Sequence, residues 1–291
     1  MAYPSLVLSS ACSASVALCA LREWRVFAGV IAVVVAIACA ACGITADFSG
    51  LQGGAPLPPT PPPTSSCASR TPVPTFCDDF DHEPLPGVWD VFHQVGGSLA
   101  IDPGAHVSAP SSLVARFAAL TAGQLLDTTL RKRLALPAAP GRTTFELAVQ
   151  PVIVDAAPGA VIVIYAVDFL DAAKNRYTLQ LTLRQTAGEL SVTLGEQSGF
   201  VDGGMAYVEH ALADPLTVGR WTKIRLDVTR TAPQAATARL TFDGRVELDA
   251  VALQVTVNAT SIVAALGSTF ESLPSKEWVI RYDDVVVDLT P

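Results

Sequence analysis

Two acidic clusters stand far apart in this chain: Asp78, Asp79 and Asp81, and then Asp283, Asp284 and Asp288. Carboxylates are hard oxygen donors, and Ca²⁺ takes about six to eight such ligands. If the ends of a folded domain meet, Asp79, Asp81, Asp283 and Asp284 could share one calcium ion, the single cofactor the sequence suggests. No loop with calcium-binding spacing accompanies them, and a solvated acidic edge that discourages strand-to-strand association accounts for the same residues. Groups able to move protons are sparser. His82, His93, His106, His210, Tyr177 and Tyr207 are the candidates for the base and proton relay that a lyase needs. Carboxylates adjoin His82 and His210 in sequence, but neighbours on an extended chain point apart, so surface or loop histidines are the simpler reading. Tyr207 and His210, three residues apart, belong on opposite faces of a strand. No nucleophile-elbow motif is present, and no Ser-His-Asp order can be argued.

Sugar recognition would ask for exposed flat rings. Trp89, Trp221 and Trp278 each adjoin apolar strand patterns and are expected in the core, which leaves Tyr165, Phe200 and Tyr207. The formal net charge is −8, and the largest basic cluster is Arg131-Lys132-Arg133. An acidic chain of this kind lacks the electrostatic footprint of a nucleic-acid binder.

The elements that must position these residues are strands. From Ser98 onward apolar residues recur with period two. Tyr177, Leu179, Leu181 and Leu183 alternate with Arg176, Thr178, Gln180, Thr182 and Arg184, and Ile224, Leu226 and Val228 alternate with polar residues. Each such run implies one dry face and one wet face. Val161-Ile162-Val163-Ile164-Tyr165 is apolar on both faces and is expected in the middle of a sheet. Turn residues separate the runs, and Asp243-Gly244 between two alternating segments is a tight-hairpin signal. In the last strand the pattern slips across Asp283-Asp284, as a β-bulge would make it. About a dozen short strands without a helix predict an all-β fold of two stacked antiparallel sheets.

The N-terminal part is different in kind. Arg22 and Arg25 precede an apolar run, Val26 to Ala41, that ends in Cys39-Ala40-Ala41-Cys42-Gly43. A charged region, an apolar region and a small-residue end are the requirements of a secretory signal. With a cysteine at the cut, the segment resembles a bacterial lipoprotein signal. That resemblance implies lipidation at Cys42, with Cys39 as the second choice, and a membrane partner reached through the lipid. An uncleaved membrane anchor is the alternative. Residues 43–75 turn to Pro, Ser, Thr and Gly, centred on Pro56-Leu57-Pro58-Pro59-Thr60-Pro61-Pro62-Pro63, a composition that behaves as a semi-rigid extended spacer. The division is then a leader over 1–42, a linker over 43–75 and a folded domain over 76–291. An exported chain enters an oxidising compartment, which favours a short-loop disulfide between Cys67 and Cys77 over two free thiols. A zinc site fits the spacing poorly. The expected location is the cell envelope, on the outer membrane.

Four segments of the domain carry a further resemblance. They are Phe76-Cys77-Asp78-Asp79-Phe80-Asp81 with Trp89, Gly219-Arg220-Trp221-Thr222-Lys223-Ile224-Arg225-Leu226, Ala238-Arg239-Leu240-Thr241-Phe242-Asp243-Gly244, and Arg281-Tyr282-Asp283-Asp284-Val285-Val286-Val287-Asp288. In order and spacing they resemble concanavalin A-like lectin/glucanase (laminin G-like) jelly rolls. The resemblance implies a curved two-sheet jelly-roll sandwich, often with a sugar-binding concave face, whose closing strand pairs near its opening one. Retaining glucanases of this kind carry Glu-x-Asp and a second Glu shortly after, one carboxyl as nucleophile and one as acid. Here Glu247-Leu248-Asp249 is followed by Val251 and Ala252 where that Glu belongs, so proton donation to the leaving group has no candidate. Glu247 and Asp249 are expected on a solvated strand face. The sequence therefore predicts a non-catalytic, lipid-anchored jelly roll that binds polysaccharide or another surface component. A polysaccharide lyase on the same fold and a purely structural envelope module are the alternatives.

Overall fold

The computed structural model describes residues 66–291 except 82–83, 122–123, 139–140, 156–157, 187–188, 200–204 and 273–275. The expectations for the leader, Cys39, Cys42 and most of the linker, and for His82 and Phe200, lie outside the described residues.

Two antiparallel sheets stack face to face, and no helix occurs among the described residues. One sheet runs in the order β13 (Arg245–Leu253), β12 (Ala235–Phe242), β11 (Thr222–Ala232), β6 (Gly141–Val154), β15 (Trp278–Thr290), β4 (Ser112–Phe117) and β3 (Gly97–Asp102), with β1 (Phe76–Asp78) added against β15 to make eight strands. The other runs β10 (Met205–Ala211), β9 (Leu190–Gly199), β8 (Arg176–Gln185), β7 (Val161–Leu170), β14 (Ser261–Ser268), β5 (Asp127–Ala135) and β2 (Val91–Val95). The opening and closing strands do pair, Phe76 opposite Val287. Not every strand is short, since β6 spans fourteen residues and β15 thirteen, and these two adjoin along the centre of their sheet.

Alternation places the core. On β8, Tyr177, Leu179, Leu181 and Leu183 turn inward and are buried, as do Ile224, Leu226 and Val228 on β11 and Ala238, Leu240 and Phe242 on β12. Each such Leu, Val or Phe removed from water contributes about 1.5–3 kcal/mol. Strand β7, apolar on both sides, lies mid-sheet between β8 and β14. Tyr282 on β15 donates its hydroxyl to the Ile164 carbonyl on β7 at 2.9 Å, a polar tie across the two layers. Burial pushes the Tyr165 and Tyr282 hydroxyl pKa values up.

Two local signals have clear structural causes. Asp243 and Gly244 both take positive φ, 49° and 83°, so the two-residue turn between β12 and β13 matches the twist of its strands. The register of β15 against β6 shifts between Asp283 and Val286, with Asp284 at φ 51°: this is the bulge. Cys67, ahead of β1, and Cys77 within it form a disulfide that fastens the incoming chain to the sandwich.

The outer face of β8 is not uniformly wet, because Thr178 and Thr182 are buried, as is Thr193 beside them on β9. Longer side chains along the flanks turn this face into the floor of a trough.

Candidate functional site: a trough on the seven-stranded sheet

The register of the seven-stranded sheet builds the trough strand by strand. Thr178 on β8 lies opposite Gln197 on β9, which lies opposite Tyr207 on β10. The next row contains Gln180, Gly195 and Glu209, and the one after it Thr182 and Thr193. Val161 and Val163 of β7 continue the floor toward Thr269, Phe270 and Ser272, the segment that follows β14. The Phe270 carbonyl accepts from the Val163 amide at 3.1 Å, and the Val161 amide donates to Ser272 Oγ at 2.7 Å. That segment therefore stays docked along β7 beyond Gly267, whose φ of 88° ends the regular strand. Together these residues enclose a groove of about 610 Å³.

Two rings rise from its sides. Tyr207 is 50% exposed and Phe270 53%. They stand four strand spacings apart, roughly 19 Å at about 4.8 Å each. The Tyr207 ring lies across Gly195: a Cβ there would sit 2.7 Å from the Tyr207 hydroxyl and 2.9 Å from its ring edge. Only glycine leaves room for the ring to lie along the sheet instead of standing off it. Gln180, whose Cγ would be 3.1 Å from the same Cβ, borders the ring.

The charged groups of the trough are loosely paired. Arg184 reaches Glu209 at 3.4 Å and Arg176 reaches Asp168 at 3.8 Å; Arg176 is exposed and Arg184 half-buried. Such pairs contribute about 0–1 kcal/mol each and can open to a ligand at little cost. The floor also holds an unmet polar group, since the buried Thr182 hydroxyl has no hydrogen-bond partner among the described residues.

The residues proposed from sequence scatter over the molecule. Tyr207 is in the trough, whereas His210 on the same strand turns to the interior and meets Glu196. Tyr177 is buried and donates to Glu196. His93 on β2 pairs with Asp127 at 2.7 Å on the far flank of the same sheet, and His106 lies exposed in the loop after β3. Trp89 and Trp278 are in the core; Trp221 is half-buried beside a small cavity with Lys223 and Asp284. Tyr165 is buried. Asp249 is exposed, but Glu247 is no solvated carboxylate, because it turns in to accept from Arg245 and from the Asp214 amide.

The acidic clusters accept hydrogen bonds from amides and hydroxyls of the chain. Among the described residues no group of three or more His, Cys, Asp or Glu is arranged to hold a metal ion. Asp79 accepts from the Cys67 amide and Asp81 from the Ser111 amide. Asp283 accepts from the Val107 and Ser108 amides and the Ser108 hydroxyl, and Asp284 accepts from Ser66. Asp283 and Asp284 fasten the loop before β4 and the chain entry to the bulge in β15, while Asp79 and Asp81 hold the same two segments to the chain that follows β1. Burial pushes the Asp283 pKa up to about 7 against the pull of its amide donors, with the Asp284 charge adding to the rise.

Gln180, Gly195, Gln197 and Phe270 carry no chemistry that a sequence pattern reveals. Gly195 interrupts the polar side of an alternating strand, one strand before a tyrosine that belongs to no apolar pattern. That interruption is the available signal.

No family model and no curated protein matches the chain. Among solved structures, a glucuronan lyase from the fungus Trichoderma reesei superposes with a TM-score of 0.52 at 13% identity, over 74% of this chain and 95% of that one. The fold is a concanavalin A-like jelly roll. A family 16 endo-glucanase from Bacteroides ovatus (TM-score 0.48, 11% identity, 73% and 99% coverage) and an alginate lyase solved with an alginate tetrasaccharide (0.46, 13%, 69% and 85%) are also similar. At these identities the likeness concerns the jelly roll alone.

Proposed function

We propose that this jelly roll is a polysaccharide-binding module and that the trough of the seven-stranded sheet is its binding surface. The observation that carries the reading is Tyr207, an exposed ring laid across Gly195 in a groove whose polar groups include Gln180, Gln197, Arg176, Arg184 and Glu209. A flat ring offers a stacking platform for a pyranose face, and the amides and loosely held guanidinium groups offer hydrogen bonds to hydroxyls. A glucuronan lyase shares the fold, which is compatible with a polysaccharide ligand without fixing which one. The leader is proposed to leave a lipid on Cys42, or on Cys39. The part of the linker ahead of Cys67 would then hold the domain away from the outer membrane.

A lyase is the second reading, favoured by the Tyr207 hydroxyl sharing the groove with two arginines that could offset a uronate carboxylate. One experiment separates the two. The full-length chain is incubated with neutral β-glucan and with alginate and polyglucuronate, following both gel retardation and the absorbance of unsaturated sugar ends. Retardation without new absorbance is the expected result. Unsaturated products would replace the binding module with the lyase, and neither signal with any polymer would remove both.

A further inference from the structure

Two hydroxyls sit together in the floor of the trough without a task in holding the strands. Thr182 on β8 and Thr193 on β9 lie directly opposite one another, 3% and 7% exposed. Neither side-chain oxygen has a hydrogen-bond partner among the described residues. A buried donor left unmet costs free energy, and a valine, branched at the same carbon, would fit a strand here without that cost.

The register shows what covers them. Alternation puts Thr182 and Arg184 on the outer face of β8, Ser191, Thr193 and Gly195 on that of β9, and Tyr207 and Glu209 on that of β10. Arg184 lies opposite Ser191 and Glu209 opposite Gly195, and Thr193 is midway between those two glycine and serine positions. The 3.4 Å contact between Arg184 and Glu209 therefore crosses β9 on the diagonal, above Thr193 and beside Thr182. The Tyr207 hydroxyl lies over Gly195, the next outward position after Thr193, and Gln180 borders the same glycine from β8. Three hydroxyls and an amide thus gather under and around one loosely held ion pair.

The charges at this point cancel. Arg184 faces Glu209 and Arg176 faces Asp168, so each guanidinium of the trough has its own carboxylate. A polyanion that took either arginine would strand that carboxylate next to its own charge, on a chain whose formal net charge is already −8. An uncharged sugar unit meets no such conflict. Adjacent hydroxyls can donate to Glu209 and accept from Arg184 together, so neither charge loses a partner when the pair opens.

Resting on the reading of the trough as a polysaccharide surface, we infer that the Arg184–Glu209 pair is the cover of a subsite for a neutral, hydroxyl-rich sugar unit. The unit parts the pair, and its hydroxyls reach Thr182 and Thr193 beneath. The subsite selects an uncharged glycan over a polyuronate.

The test uses the full-length chain, with neutral β-glucan as the probe and alginate and polyglucuronate as the charged comparisons. Affinity and denaturation midpoint are measured for wild type, for Thr182→Val combined with Thr193→Val, and for Thr182→Ser combined with Thr193→Ser. Wild type should bind β-glucan several-fold more tightly than either polyuronate. The valine pair should lose affinity for β-glucan several-fold while its midpoint stays level or rises, because an unmet buried hydroxyl has been removed. The serine pair keeps both hydroxyls and should bind as wild type does. A lower midpoint in the valine pair with affinity unchanged would show that the hydroxyls serve the fold, and would overturn the subsite. Tighter binding of a polyuronate would overturn it as well. β-Glucan binding that is lost in Tyr207→Ala and indifferent to the valine pair would discard the subsite and keep the trough. No retardation of any polymer would discard both.

Discussion

The two outer faces of the sandwich have similar ingredients and pair them differently. On the eight-stranded sheet, Glu146 is enclosed by Arg70, Lys223 and Arg225, at 2.9, 3.4 and 2.6 Å. Asp227 next to it accepts from Arg225, Arg142 and the Thr144 hydroxyl. Arg70 belongs to the segment fastened by the Cys67–Cys77 disulfide, so the chain entry is folded down onto this face. In the trough of the seven-stranded sheet the arginines are looser, two rings stand half-exposed, and a floor hydroxyl has no partner among the described residues. One face has its polar groups closed upon each other, which makes it a support. The other leaves its polar groups available, which is what a binding surface requires.

The largest effect should come from the support side. Asp283 is fully buried and answers several donors, so Asp283→Ala leaves those donors without an acceptor and should cost roughly 3 kcal/mol or more. Chemical denaturation of the full-length chain checks this, and a loss below about 1 kcal/mol would show that the loop and bulge hold without it. Tyr207→Ala should do the reverse. Polysaccharide affinity should fall about tenfold, near 1.4 kcal/mol, with denaturation midpoints unchanged. If stability moved and affinity did not, the division between the faces would be wrong.

Acid and base should also separate groups on the supporting face. Burial raises the Glu146 pKa, but the Arg70 hydrogen bond and the charges of Lys223, Arg70 and Arg225 outweigh it and leave the pKa lowered. Its stabilisation is present above the ordinary carboxylate pKa and is lost as pH falls through the depressed value. Asp283 has the opposite sign. With its folded pKa raised to about 7, the folded state keeps a proton that the unfolded chain releases near about pH 4, so its contribution declines as pH rises through that window. Denaturation of Asp283→Asn from about pH 4 to 7 should show a flatter profile than wild type. An identical slope would place the titrating group elsewhere.

The smallest and sharpest test is Gly195→Ala. Gly195 does not have the positive φ that would forbid a side chain, so the new methyl should displace the Tyr207 ring without strain in the strand. Affinity should fall about threefold, roughly 0.6 kcal/mol, with the fold unchanged. Unaltered affinity would mean the ring need not lie where it does.

The architecture was legible because it follows from period and punctuation. Alternation on β8 and β11, the Asp-Gly turn and the slip at Asp283-Asp284 are local signals, and they appear as strands, a hairpin and a bulge. The trough was less legible because it is a product of register. Nothing near Gly195 in sequence says that Tyr207 of the next strand will lie on it, or that Phe270 will stand at the opposite side of the trough, beyond β7. The two ends of the domain do meet, and their carboxylates take amides and hydroxyls that lie far off in sequence or in loops, which no local pattern announces. Glu247 reads as solvated because sequence does not show Arg245 and the Asp214 amide folding over it.

The direct measurement is calorimetric titration of one retarded polymer into three forms of the full-length chain: wild type, Tyr207→Ala on the open face and Arg142→Ala on the closed one. Heat of binding should be retained in wild type and Arg142→Ala and largely lost in Tyr207→Ala. Binding that survives in Tyr207→Ala and disappears in Arg142→Ala would put the ligand on the other sheet and contradict the assignment to the trough.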